Sequence, residues 1–272
     1  LVKPIVSQTQ GSDRSRYALL AQNISLLRAT AVVPLRDENP VRVTPYVTYG
    51  LIALNILIFL YEISLPGPVL EGFFRTWAVV PVQFSAALQG NPQISLLQEI
   101  TTLFSSQFLH AGLLHVGGNM LYLWVFGNNV EDQMGHTRFL IFYLLCGALA
   151  ALAQWYFSAG SDVPSLGASG AIAGVMGAYI LRFPQVRILT LVPIFLFITT
   201  FRIPAILFLG FWFVQQALYG VASLDAPSMV GMQGGGVAYW AHAGGFVFGA
   251  VLGPVFGLFS RPAAPGVNTP NV

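Results

Sequence analysis

Gly167-Ala168-Ser169-Gly170 sets a serine hydroxyl at the head of a run of small apolar residues, and Ala241-His242-Ala243-Gly244-Gly245 sets an imidazole into another apolar run far downstream. A serine hydroxyl attacks poorly until a neighbouring base takes its proton, and a neutral imidazole is well suited to that task near neutral pH. Ser169 and His242 therefore read as nucleophile and general base. A third cluster, His110-Ala111-Gly112-Leu113-Leu114-His115-Val116-Gly117-Gly118-Asn119, puts His115 and Asn119 four residues apart and so on one helical face. Attack on a carbonyl builds negative charge on its oxygen. His115, Asn119 and the Ser169 backbone N–H are the donors read as meeting that charge, while His110 is expected to support the start of the helix.

Each feature has a plainer reading. Gly170, Gly174, Gly177 and Ala178 form one small-residue surface, and Gly245, Gly249 and Gly253 form another. Such surfaces serve packing alone in many membrane helices. G-x-S-G is short, and it lacks the strand–turn–helix setting of the soluble-hydrolase elbow. Asn119 could equally bridge helices. Two considerations favour chemistry. An ionisable histidine inside a spanning helix is expensive and marks function. Hydrogen-bond contact between Ser169 and His242 also needs helices as close as two glycine surfaces allow.

These motifs sit in a chain that is 55% hydrophobic and 8% charged, with a mean hydropathy of +0.69, so it is read as an integral membrane protein. Its length suits one polytopic domain, and a net charge of +2 speaks against a nucleic-acid surface. The lone Cys146 excludes an intramolecular disulfide. No metal site is expected: the chain has four histidines but no H-E-x-x-H, and His136 is read in a loop with Glu131 and Asp132, away from the other three. No cofactor is implied either, because no phosphate-binding or dinucleotide-binding glycine fingerprint follows a predicted strand.

Hydropathy divides the chain into a polar cytoplasmic tail at 1–44, a membrane domain at 45–260 and a short C-terminal tail at 261–272. Within the tail, Tyr17, Leu20, Ile24, Leu27 and Ala31 keep helical spacing, but a loosely ordered segment is expected. Six spans are read at 45–65, 112–129, 138–158, 169–183, 203–219 and 238–259. The apolar stretch 188–201 reaches only about 21 Å as a helix against a core of about 30 Å. With Pro193 inside it and Arg187 and Arg202 beside it, it reads as an interfacial loop.

Orientation follows the basic residues. With the N-terminus inside, Lys3, Arg14, Arg16, Arg28, Arg36, Arg42, Arg138, Arg182, Arg187, Arg202 and Arg261 all fall on the inner side, and Arg75 alone on the outer. The second, fourth and sixth spans then enter from the outer face. These carry His115, Ser169 and His242. The fourth is short, which sinks Ser169 about 10 Å below the outer edge of the core and calls for a hydrated depression above it. Phe208, Phe211, Trp212 and Phe213 on the fifth span, and the loop 229–236, are read as gate and lid, with lipid-facing filler as the alternative for the aromatics.

H-x-x-x-x-H-x-x-x-N, G-A-S-G and A-H-x-G-G, in that order, closely resemble the rhomboid intramembrane serine proteases. The resemblance runs over 34–259 and takes in Gly135-His136-Thr137-Arg138-Phe139, similar to the family's loop before the third helix. It implies an all-α six-helix membrane bundle with a short central fourth helix. It also implies a Ser/His dyad with no acidic third member: Ser169 as nucleophile, His242 as base, and His115 with Asn119 at the oxyanion. Gly167, Gly170, Gly245 and His110 are the supporting positions. The substrates implied are single-span or polytopic membrane proteins, cut within or beside a helix that must first unwind. A bacterial plasma membrane is the expected location, with the site opening outward. Two departures stand out. Ala173 occupies the position where some members place a tyrosine against the catalytic histidine, and Phe74-Arg75 lies near where others carry Trp-Arg. A catalytically weak, client-binding rhomboid-like protein and a small polytopic transporter are the competing readings. The retained serine and histidines argue against the first. The lack of an inverted repeat or a trail of intramembrane charges argues against the second.

Overall fold

The computed structural model describes residues 32–194, 197–224 and 237–261. The cations Lys3, Arg14, Arg16 and Arg28 and the lid segment 229–236 lie outside the described residues. In chain order, a strand β1 (Val33–Asp37) precedes a long helix α1 (Tyr46–Ser64), three shorter helices α2 (Gly67–Trp77), α3 (Pro81–Leu88) and α4 (Leu96–Ser105), and two long ones, α5 (Leu113–Met134) and α6 (His136–Ser158). Then come α7 (Ser169–Arg182), the strands β2 (Arg187–Ile194) and β3 (Phe197–Pro204), and finally α8 (Ala205–Leu224) and α9 (Tyr239–Val255).

The six helices α1, α5, α6, α7, α8 and α9 occupy the six predicted hydrophobic segments, and the protein is a mostly helical integral membrane protein. Among the described residues α1, α6 and α8 are long and apolar enough on their own to cross a membrane. The other three are those carrying the candidate site residues. They fall short because α7 and α9 have 14 and 17 residues, and because α5 interrupts its apolar run with His115, Asn119, Asn128 and Asn129. Exposed side chains such as Leu57 and Ile63 on α1, Phe211 and Leu218 on α8, and Val251 on α9 give the bundle an apolar exterior that only lipid would cover at no cost.

Four expectations are corrected. The segment 188–201 is not a loop: it makes most of an antiparallel hairpin in which Arg187 pairs with Pro204 and Ile194 with Phe197. β1 adds antiparallel to β2, giving a three-stranded sheet ordered β1-β2-β3 beside the helices. The end of the expected tail is therefore folded. Burial of Ile188 and Thr190, two apart on β2, is the period-2 signature of a strand with one covered face. Between the first two spans, where no element is expected, α2, α3 and α4 form, and Phe74-Arg75 lies on α2. The loop expected around His136 shrinks to Gly135, whose φ of 79° allows α5 to hand over to α6 at once.

Buried carboxylates at the end of α5 tie the entering chain down. Glu131, fully buried, accepts from Val47 N at 2.9 Å, Thr48 N at 2.8 Å and Thr48 Oγ1 at 2.6 Å. It thereby satisfies N–H groups that the first turn of α1 leaves open and sits at the positive end of that helix. Asp132 accepts from Arg42 N and Val43 N, both at 3.0 Å, and pairs with the Arg42 guanidinium at 3.3 Å. At the same end, Arg182 donates to Gln133 Oε1 at 3.2 Å and to the Arg261 carbonyl at 3.0 Å.

Candidate active site

α7 is the centre of the bundle, with Gly170, Ala171, Ile172, Ala173 and every residue on to Tyr179 buried. It packs most extensively against α9, and α6 lies against both. Glycine makes this possible. A methyl group at Gly245 would strike the carbonyl oxygen of Gly170, one at Gly249 the carbonyl of Gly174, and one at Gly177 the carbonyl of Phe246. Across the other side of α7, a methyl at Gly170 would come to 2.6 Å from the Ala150 side chain, and one at Gly174 to 2.5 Å from Cβ of Cys146. The two backbones therefore touch along most of α7, which holds the head of α7 beside the head of α9.

Ser169 and His242 stand at those two heads. Both line a cavity of about 870 Å³, together with His115 and Asn119 from α5, Gln154 from α6 and Trp212 from α8. Further lining comes from 161, 163–166, 237 and 238, so the cavity lies at the end of the bundle where α5, α7 and α9 begin. The loop before α7 is pinned by an isolated bridge, Val79 N to Ser165 O at 3.1 Å and Ser165 N to Val79 O at 2.8 Å, and by Gly167 N donating to Ser106 O at 2.9 Å.

Gly167 has a φ of 124°, a conformation side chains disfavour, and a Cβ there would meet His115 Nε2 at 2.7 Å and lie 3.6 Å from Ser169 Oγ. The imidazole of His115 thus reaches over the glycine toward the serine. Its Nδ1 accepts from Ala111 N at 3.4 Å, which puts the ring proton on Nε2, the nitrogen on the serine side. Asn119 is buried with its Nδ2 unpartnered, a donor left open beside the cavity. No side chain caps α7, so the N–H groups of its first turn, Ser169 among them, also lack a capping partner.

His110 lies behind His115, the ring centroids 5.0 Å apart and the planes at 68°. Its backbone N–H is 3.2 Å from both carboxylate oxygens of Glu62, buried near the end of α1.

The direct hydrogen bond expected between Ser169 and His242 is not among those formed by the described residues; His242 Nδ1 lies instead 2.8 Å from Gln216 Oε1. Catalytic hydrogen bonds are often long until substrate closes the site. Trp212 packs on His242 with centroids 5.6 Å apart, and touches Phe246 at 6.2 Å. The aromatic partner of His242 is thus Trp212 of α8, and residue 173 of α7 is an alanine. The sequence pattern marks Trp212 as gate or filler and leaves Gln216 and Gln154 unmarked. The available signal was Gln215-Gln216, a polar break in an apolar segment. Gln154 Oε1 accepts from Ala241 N at 3.2 Å, fixing the turn that bears His242.

Residues 97–259, more than half of the chain, match the family model described as Rhomboid domain. The chain is 31% identical over 160 residues to Rhomboid protein 1, mitochondrial, of Saccharomyces cerevisiae, covering 56% of this chain and 40% of the yeast protein. It is 38% identical over 137 residues to Rhomboid protease GluP of Bacillus subtilis, covering 49% of this chain and 24% of that protein. Against the human Presenilin-associated rhomboid-like protein, mitochondrial, identity is 28% over 204 residues, covering 74% of this chain and 45% of the relative. The chain thus spans less than half the length of these relatives. Two of the three are named as mitochondrial, so the comparisons lend no support to the expected bacterial plasma membrane. A domain match that begins ahead of the histidine cluster of α5 and ends beyond α9 takes in His115, Asn119, Ser169 and His242, and by it the chain belongs to the rhomboid family.

Proposed function

We propose that this protein is an intramembrane serine endopeptidase that hydrolyses peptide bonds within or next to transmembrane helices of membrane-protein substrates. One observation carries the reading: Ser169, His242, His115 and Asn119, from three helices, line one cavity at the end of the bundle where those helices start. As Ser169 Oγ attacks the scissile carbonyl, His242 takes the hydroxyl proton, and the carbonyl oxygen becomes an oxyanion. His115 Nε2–H, Asn119 Nδ2–H and the Ser169 backbone N–H are its donors, aided by the positive end of α7. The tetrahedral intermediate collapses, the C–N bond breaks, and the departing amine takes the proton from His242. Water from the cavity then attacks the acyl-enzyme by the same route in reverse order of proton transfer.

The six helices α1, α5, α6, α7, α8 and α9 form the membrane domain at 45–260, crossing the bilayer with the Arg182 end inside and the cavity opening to the opposite face. The charge asymmetry of the sequence supports that orientation. A bilayer-embedded nucleophile at the head of a 14-residue helix suits a substrate helix that unwinds locally at the outer leaflet.

The test is reconstitution of the full chain in liposomes with a panel of single-span substrates. The native chain should cut at least one of them. Ser169→Ala and His242→Ala should cut none while keeping the native melting midpoint, and a serine-directed phosphonate should label native protein but not Ser169→Ala. Cleavage by Ser169→Ala would overturn the assignment. A native chain that binds membrane clients without cutting any, and resists the phosphonate, would be a client-binding relative instead.

A further inference from the structure

Gln216 is a buried amide, 6% exposed, on a helix whose neighbouring turns are apolar. Burying an amide without partners is unfavourable. Its partner is the base itself, His242 Nδ1 at 2.8 Å from Gln216 Oε1. A carbonyl oxygen has no proton to give, so the proton in this contact belongs to the imidazole. His242 is then protonated at Nδ1 and carries its lone pair on Nε2. Trp212, one turn earlier on the same face of α8, lies over the ring at an interplanar angle of 33°. Two α8 side chains therefore fix the imidazole, one by hydrogen bond and one by packing.

We infer that Gln216 is the positioning residue for His242, selecting the tautomer in which Nε2 is the proton acceptor for Ser169. For its catalytic consequence this rests on the protease reading above. The logic is that of the carboxylate in serine–histidine–aspartate sites, which holds the ring in the right tautomer without taking the proton. An amide does the same holding without placing a charge inside the bilayer, where charge is expensive. The opposite arrangement, with the Gln216 amide nitrogen donating to Nδ1, would put the ring proton on Nε2 and leave the base unable to act. The two differ in a measurable way.

The experiment uses the full chain, labelled with nitrogen-15 in histidine and held in lipid at near-neutral pH, with His242→Asn identifying the His242 signals. The native protein should show His242 protonated at Nδ1 and bare at Nε2. Gln216→Met, similar in volume, should populate the other tautomer and lower kcat by about tenfold or more with little change in KM. Gln216→Glu, which still accepts from Nδ1–H, should restore the tautomer and recover activity, with the acidic limb of the rate profile moved to higher pH because a carboxylate also favours the charged imidazole.

Native His242 protonated at Nε2 would overturn the inference, as would Gln216→Met with unchanged kcat, or equal losses in both variants with an unmoved pH profile. The spectroscopic readout does not depend on proteolysis. The expected tautomer in a protein that cuts nothing upholds the geometry and removes the protease reading. Robust cleavage with the wrong tautomer removes this inference alone.

Discussion

Gly245 on α9 and Gly170 on α7 meet backbone to backbone, with no room for a methyl group between the Gly245 Cα and the Gly170 carbonyl. Gly249 and Gly174 repeat the contact one turn on. The neighbour in each case is main chain, which can move only by shifting the helix. Gly245→Ala and Gly249→Ala should therefore push α9 from α7, lowering stability by about 1–3 kcal/mol and abolishing most cleavage. Gly253→Ala meets the movable end of the Leu258 side chain at 3.0 Å and Ala178 Cβ only at 3.2 Å, and should be milder. Gly210→Ala has nothing within 4 Å and should be neutral or slightly stabilising. Melting midpoints and cleavage rates of the four variants check the order, and equal effects in all four would refute it.

Asn119 and His115 should separate binding from turnover. In the proposed mechanism their donors meet a charge that exists only once Ser169 has attacked, so removing one should act on kcat. Asn119→Ala is expected to lower kcat by about a hundredfold to a thousandfold with KM little changed. A raised KM with normal kcat would instead make Asn119 a substrate-binding or bridging residue.

Gly167→Ala tests the route by which His115 reaches the serine. At a φ of 124° the substitution is strained, and its methyl would lie 2.7 Å from His115 Nε2. Loss of kcat beyond any loss of melting midpoint is the expected result, and an active, stable Gly167→Ala would show that His115 need not approach.

What the sequence yields and what it hides follow one physical line. The six long hydrophobic segments were legible because a membrane helix is predominantly apolar, and that is a local property. Ser169 and His242 both adjoin glycine surfaces, and the structure places both on one cavity without a hydrogen bond between them. Gln216 was not legible, since its meeting with His242 depends on the rotation of α8 against α9, which no local pattern encodes. The β2–β3 hairpin was hidden differently. Its 14 mostly apolar residues at 188–201 fit both a short helix and a strand pair, and the β-branched Ile188, Thr190, Val192, Ile198 and Thr200 were the cue that decides. β1 carries Arg36 and Asp37, which made it look like tail, yet Asp37 is the residue that docks it.

Asp37 makes the docked strand sensitive to pH. Its Oδ2 accepts from Tyr179 OH on α7 at 2.6 Å and from Asn129 Nδ2 on α5 at 2.7 Å. Burial raises its carboxyl from the usual 3.8 to about 7, and the Tyr179 hydrogen bond only partly opposes the rise. The folded protein thus holds this proton more tightly than the unfolded chain. The resulting stability is full below about pH 4 and is lost as pH climbs toward and through about 7. Native protein should melt several degrees lower at pH 8 than at pH 5, and Asp37→Asn should flatten that difference. An unchanged slope in Asp37→Asn would place the titrating group elsewhere.

The face on which the cavity opens ties the chemistry to the orientation of the whole bundle. Hydrolysis consumes water, and a nucleophile at the head of α7 can be supplied only from the end where the lining residues Ser165 and Ala238 stand. Cys146 is buried and would be replaced by alanine, leaving no native thiol. In sided vesicles, Ser165→Cys and Ala238→Cys should then react with a membrane-impermeant thiol reagent added outside. Thr137→Cys, exposed at the start of α6 beside the Arg182 end, should react only from within. The reverse pattern would turn every helix over together. It would leave the serine–histidine geometry intact while sending water and substrate in from the inner face, against the distribution of arginines.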